Sequence, residues 1–203
     1  IRDRTYNEHA ASLDRAGWTV ATVTDRDALH GADLAVVVNP NNPDGRAHAP
    51  AELLALAQSV GLLVVDESFA DVQPELSLLP QAGQEKLLIL RSFGKFYGLA
   101  GLRLGFAFGA PADIAALAQL AGPWPVSGPA IEIGRRALSD DRWAAAMRVQ
   151  LAQDAARADA LARAAGWWLA GGTTLFRLYE TPDARAAQDR LARHRVWSRI
   201  FPW

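Results

Sequence analysis

Short apolar runs recur along the chain, most of them bounded by glycine, proline, asparagine or aspartate. The stretches 18–24 (WTVATVT), 33–39 (DLAVVVN), 61–67 (GLLVVDE), 86–92 (KLLILRS) and 102–109 (LRLGFAFG) are predicted as strands. Several are apolar almost without a break. Strands buried on both faces have that pattern, which predicts an α/β architecture, a mostly parallel sheet with helices on both faces. Between them, 49–59 predicts a helix with Pro50 at its first position and Glu52 in its first turn, and 111–121 repeats the device.

From about Asp140 to Ala165 the period changes to that of one long helix. Met147, Leu151, Ala155, Ala158, Ala162 and Ala165 fall on one face. Asp154/Arg157 and Asp159/Arg163 are spaced to pair on the exposed side, and Gly166 ends the helix. Beyond it, 173–180 is predicted as a strand, 182–194 as a helix and 195–201 as a strand. The expected division is a large domain over 1–139, followed over 140–203 by a linking helix and part of a small α+β C-terminal lobe.

A chain of 203 residues can build one sizeable core, or one domain and part of a second. Its net charge of -1 gives no reason to expect nucleic acid or an anionic membrane as partner. The absence of cysteine excludes disulfides, thiolate metal sites and cysteine nucleophiles, and suits a cytoplasmic protein. The best apolar run, 98–110, is too short to span a bilayer and carries Arg103. The four histidines lack ligand-like spacing and read as surface or capping residues, His9 having the alternative of lining a site beside Tyr6. The tryptophans, Trp167 and Trp168 among them, read as core. The chain opens without an initiator methionine and stops at RIFPW, so segments are expected to be missing at both ends.

Positive charge is almost all arginine: only Lys86 and Lys95 are lysines. Lys95 stands in RSFGKFYGLAGLRLG (91–105), among Gly94, Gly98, Gly101 and Gly105, which allow backbone to approach a ligand. A primary amine forms imines and a guanidinium does not, so a lysine here suits a carbonyl substrate or an aldehyde cofactor. The competing reading is a lysine in a surface loop. Ser92 and Arg103 near it would make an anion site. VVVNPNNPDG (36–45) is a buried strand running into a tight turn, and LLVVDESF (62–69) puts Asp66 at the end of another, where an α/β sheet presents ligand-binding side chains; the competing readings are an ordinary turn and a helix cap. A lysine imine, a phosphate anchor and an acid facing a ring nitrogen are together what pyridoxal 5′-phosphate needs.

With N-P-N-N-P-x-G, D-E-x-F and S-x-G-K-x-x-G-L-A-G-L-R-L-G in this order, the chain resembles the fold-type I pyridoxal-phosphate enzymes of the class I/II aminotransferase family over nearly its whole length. The resemblance implies the aspartate aminotransferase-like fold and a homodimer with a shared active site. It implies that Lys95 carries the cofactor as a Schiff base and later moves the proton. Asp66 would pair with the pyridine nitrogen, Asn42 with the ring 3′-oxygen, Ser92 and Arg103 with the phosphate, and Tyr6 would stack on the ring. A glycine-containing phosphate loop and the arginine for the substrate carboxylate are expected outside this chain; Arg177 does not match the latter's motif.

Three positions depart from the family pattern: Asp44 replaces a threonine, Phe69 a tyrosine that would also reach the 3′-oxygen, and Gly94 the commoner serine or alanine. D-E-x-F, the lysine segment and GPWPVSGPA (122–130) look most like the cobalamin-pathway branch, the threonine-phosphate decarboxylases. The activity so implied is decarboxylation of L-threonine O-3-phosphate to aminopropanol phosphate. The alternatives are transamination of histidinol phosphate or a related amino acid, and the ligand-sensing half of a transcription regulator. The partner expected is a small amino acid or amino phosphate.

Overall fold

The apolar runs at 33–39, 61–67 and 86–92 form β1 (Leu34–Val38), β2 (Leu62–Asp66) and β3 (Leu87–Ser92), neighbouring parallel strands in the computed structural model, which describes residues 1 and 4–201. β4 (Gly105–Phe108) closes the four-stranded sheet antiparallel to β3, with Gly105 opposite Ser92. Side chains alternate across the sheet. Ala35, Val37, Leu63, Val65, Leu87 and Ile89 face one side, where Leu53, Leu56 and Ala57 of α2 (Pro50–Gln58) cover them. Val36 and Val64 face the other, against Ile1, Val20, and Ala10 and Leu13 of α1 (Glu8–Arg15). Burying each such valine or leucine is worth about 1.5–3 kcal/mol, so a strand with apolar residues on both sides needs both covers.

α3 (Pro111–Ala121) follows the prediction, and α4 (Gly128–Leu138) begins at Ser127, whose hydroxyl accepts from the Ala130 N–H. α5 (Asp141–Ala164) is the long helix, capped by Asp140, which accepts from the Trp143 N–H at 2.9 Å. Gly166, at φ 77, takes the chain out of it as predicted. Ala155 and Ala162 are buried, whereas Ala165 is the exposed C-cap and no part of the packed face. Asp159 does not look outward to Arg163; it binds Arg177 and Tyr179 instead.

A hairpin of β5 (Trp168–Thr173) and β6 (Phe176–Glu180) precedes α6 (Ala184–Arg193). The predicted strand 173–180 is therefore the second arm of a hairpin whose first arm was not foreseen. Segment 18–24 forms no ladder beyond a single bridge residue, Val23: Ile1 N donates to Ala21 O and Val23 N to Ile1 O, both at 2.8 Å, and Trp18 N turns back to Leu13 O at 3.1 Å. The predicted strand 195–201 is absent over its described residues, having no neighbour to pair with and starting from Arg195 at φ 65. Trp168 lies on the surface and is no part of the core. Among the described residues no helix is long and apolar enough to cross a membrane, and no cluster of metal-ligating side chains occurs.

Candidate active site

Three adjacent parallel strands end at the same edge of the sheet, and the sequence loads each end with polar groups. The Asn turn follows β1, Asp66 closes β2, and Ser92 closes β3 with Lys95 just beyond it. This is where open α/β sheets bind ligands.

The turn is built by buried amides. Asn39 donates to His48 O at 3.1 Å and accepts from His48 N at 2.8 Å. Asn41 accepts from the Thr5 hydroxyl at 2.6 Å and donates to Arg4 O and to Asp44 Oδ1. Those bonds fasten residues 4–5, and so Tyr6, beside the turn. Asp44, the residue in the family's threonine position, serves the turn itself. Asn42 is half-buried, and its side chain has no hydrogen-bond partner among the described residues.

Asp66 is 7% exposed. His9 Nε2 lies 2.8 Å from its Oδ2, while Oδ1 accepts from Ser68 N at 2.9 Å and from the Ser68 hydroxyl. Burial alone would push this carboxyl upward, but the His9 and Ser68 bonds outweigh it and hold the pKa below its ordinary value. The group is a carboxylate at neutral pH. Tyr6, largely exposed, meets the His9 ring edge-on at 5.5 Å, so Tyr6, His9 and Asp66 form one chain of contacts.

Lys95 is exposed, with no carboxylate in ion-pair range among the described residues. Its Nζ stands 5.7 Å from the centre of the Phe69 ring, which lies three residues past Asp66. Phe69 in turn meets Phe176 of β6 at 4.8 Å. Gly94 is required by packing: a Cβ there would come within 2.7 Å of Ala100 Cα, so the glycine lets the lysine loop fold over itself. Arg103 has a left-handed backbone at φ 54, a single weak bond to Ala100 O at 3.3 Å, and an exposed guanidinium. Arg177 pairs with Asp159.

The second arm of the site comes from the hairpin. Gly172 N donates to Asp44 O at 2.9 Å, and a Cβ on Gly45 or Gly171 would sit about 2.1 Å from backbone of the other segment. Only glycines allow β5 to lie directly on the Asn turn.

The sequence reading undervalued His9. Its signal was the spacing from Tyr6: three residues apart across a helix start, the two rings share a face. Removing it has an expected pH signature. Because the Asp66 pKa is depressed in the folded state, its stabilising effect is complete above the unfolded carboxylate range and is lost as pH falls through the folded pKa. His9→Phe leaves burial opposed only by Ser68, so the pKa rises and acid unfolding begins at higher pH. Stability at neutral pH should drop by about 2 kcal/mol, the worth of a hydrogen bond to a buried charge. Acid titration followed by circular dichroism checks this; an unchanged midpoint would show that the His9 contact carries no energy.

The family model for aminotransferase class I and II matches residues 5–198. The chain is 47% identical to a threonine-phosphate decarboxylase of Sinorhizobium sp, covering 98% of this chain and 61% of that protein. It is 42% identical to a protein of the same name from Pseudomonas aeruginosa, covering 97% of this chain and 61% of the relative. It therefore spans about three-fifths of the length of these curated relatives. The crystal structure of histidinol-phosphate aminotransferase from Sinorhizobium meliloti in complex with pyridoxal-5′-phosphate superposes with a TM-score of 0.86 at 24% identity, covering 97% of this chain and 60% of that one.

Proposed function

The chain belongs to the class I and II aminotransferase family, and from that premise we propose that it is the larger part of a pyridoxal 5′-phosphate enzyme that decarboxylates L-threonine O-3-phosphate. The observation that carries the cofactor reading is Asp66, buried yet held ionised by His9 and Ser68 at the strand edge that also bears Lys95. The substrate reading is supported by the two threonine-phosphate decarboxylases that resemble this chain over nearly all of its length.

The residues fit the cofactor. Asp66 offers a fixed negative charge for a protonated ring nitrogen, Asn42 a free amide for the 3′-oxygen, and Tyr6 an exposed ring for the pyridine face. Ser92 and Arg103 supply a hydroxyl and a guanidinium for phosphate, and Lys95 an amine with no competing acid among the described residues. When bound, pyridoxal phosphate supplies the electron sink that accepts the pair left on the substrate Cα as carbon dioxide departs. Lys95 would hold the cofactor covalently, and its amine would carry the proton that replaces the lost carboxylate on Cα. Asp66 would keep the ring nitrogen charged throughout, and the Phe69 ring stands beside the amine.

A second copy of the chain is the expected partner, supported by the exposed apolar residues Leu120, Trp124 and Ile131 on and between α3 and α4. The proposed compartment is the cytoplasm. The two domains are proposed to divide at 139/140, just before α5.

The test is product analysis on the full-length protein supplied with L-threonine O-3-phosphate. One carbon dioxide per aminopropanol phosphate, with no amino acceptor required, is the expected result. Transfer of the amino group to a 2-oxo acid without carbon dioxide release would favour the transaminase reading, which the fold of the Sinorhizobium meliloti structure shares.

A further inference from the structure

Lys95 reaches solvent from a loop whose other side chains are gripped from behind. Phe93 and Phe96 are buried on either side of it. Phe93 stacks on Tyr97 at 4.7 Å, and Tyr97 stacks on Trp143 of α5 at 5.6 Å. Trp143 also meets Phe96 at 5.5 Å. One helix farther along the chain thus holds the loop through aromatic contacts in the stacked and edge-on geometries that rings favour.

Arg148, also on α5, adds a polar grip. Its guanidinium lies 5.5 Å from the centre of the Phe96 ring, and its Nε donates to Asp71 O at 2.7 Å. Asp71 belongs to a buried charge network. Arg91 donates through Nη2 to the Asp71 carboxylate and through Nη1 to Glu67 at 3.1 Å. Glu67 is fully buried and also accepts from the Ser77 hydroxyl and Leu78 N, each at 2.6 Å. Glu67 directly follows Asp66, and Arg91 directly precedes Ser92. The network therefore clamps the ends of β2 and β3 at the residues next to two members of the site. It holds two carboxylates and one guanidinium, and Arg148 supplies the second positive charge from a different part of the chain. Unbalanced buried charge is costly, so this fourth member matters.

We propose that Arg148 is a positioning residue for Lys95: it couples α5 to the lysine loop through Phe96 and to the strand-end charge network through Asp71, fixing where the amine stands. The inference rests on reading Lys95 as the point of cofactor attachment. Asp71 is the group through which the coupling becomes visible. Burial raises its pKa, and Arg91 and Arg148 oppose that rise without cancelling it. Facing it are Arg91 from β3, Arg148 from α5 and Tyr97 from the lysine loop, with Glu67 across Arg91 and Asp141 near Tyr97. Without Arg148 the Asp71 pKa should climb further. Protonation then releases Arg91 Nη2 and loosens both strand ends.

The experiment follows attachment of pyridoxal 5′-phosphate to the full-length protein by visible absorbance as a function of pH, with peptide mapping of the labelled lysine. Parent and variants are compared over the same pH range, so differences between them report Asp71. Arg148→Met should slow attachment roughly tenfold, the effect of a modest misplacement. It should also move the acidic limb up by about one pH unit, as loss of a nearby opposite charge does. Adding Asp71→Asn to it should abolish that movement. Arg148→Lys keeps the charge but loses the planar contact with Phe96, so it should attach several-fold more slowly with the parental limb; this variant decides the matter if Arg148→Met does not fold. Parental rates in Arg148→Lys, or parental rate and limb in a folded Arg148→Met, would overturn the proposal. A label on a lysine other than Lys95 in the parent would overturn the attachment reading itself, and this inference with it.

Discussion

Lys95→Ala in the full-length protein should lose turnover by on the order of 10⁴-fold or more while still binding pyridoxal 5′-phosphate, because attachment and proton return both depend on one amine. Asp66, Asn42, Ser92 and Arg103 would keep the cofactor in place without the covalent link. The loop itself should be undisturbed: Lys95 is exposed, and its amine stands 5.7 Å from the centre of the Phe69 ring. Lys95→Arg separates chemistry from charge. It keeps a cation over Phe69 but stays protonated and forms no imine, so it should be as inactive as alanine. Steady-state turnover with cofactor binding by equilibrium dialysis gives both numbers. Activity within tenfold of the parent in either variant would remove Lys95 from the mechanism.

Asp66→Ala should cost kcat far more than cofactor affinity. The carboxylate matters most when negative charge flows from the substrate into the ring, an interaction stronger in the transition state than in the ground state. A loss of roughly 10²–10³ in kcat is the scale for removing one preorganised electrostatic partner. The position is prepared for that task. Burial opposes ionisation there, and His9 with two donors from Ser68 overcomes it, so the charge is in place before substrate arrives. Near-normal kcat with only weakened cofactor binding would contradict the role.

Much of this was legible in the sequence, for identifiable reasons. β1, β2 and β3 are nearly unbroken apolar runs because both of their faces are covered; Asp66 and Ser92 are the last residues of β2 and β3, and Asn42 lies in the turn past Val38. Lys95 stood out because the chain otherwise avoids lysine. The failures share a cause: alternation in a short segment does not say whether a neighbouring strand exists. WTVATVT and RVWSRIF alternate well, yet among the described residues neither lies in a strand ladder. β5 was missed for the opposite reason. Gly171 and Gly172 weaken its strand signal; Asp44 backbone presses against Gly171, and Gly172, at φ 131, has Phe176 O of β6 where a Cβ would sit. Arg148 carried no signal at all. Its partner Asp71 is 77 residues away, and only the packing of α5 brings them together.

The central claim is that Lys95 is the residue to which pyridoxal 5′-phosphate attaches. Borohydride reduction of the loaded full-length protein, followed by peptide mapping, tests it most directly. A single stable pyridoxyl label on the peptide containing Lys95 is the predicted result. A label on Lys86, or no labelled lysine in a protein that still turns over, would contradict it.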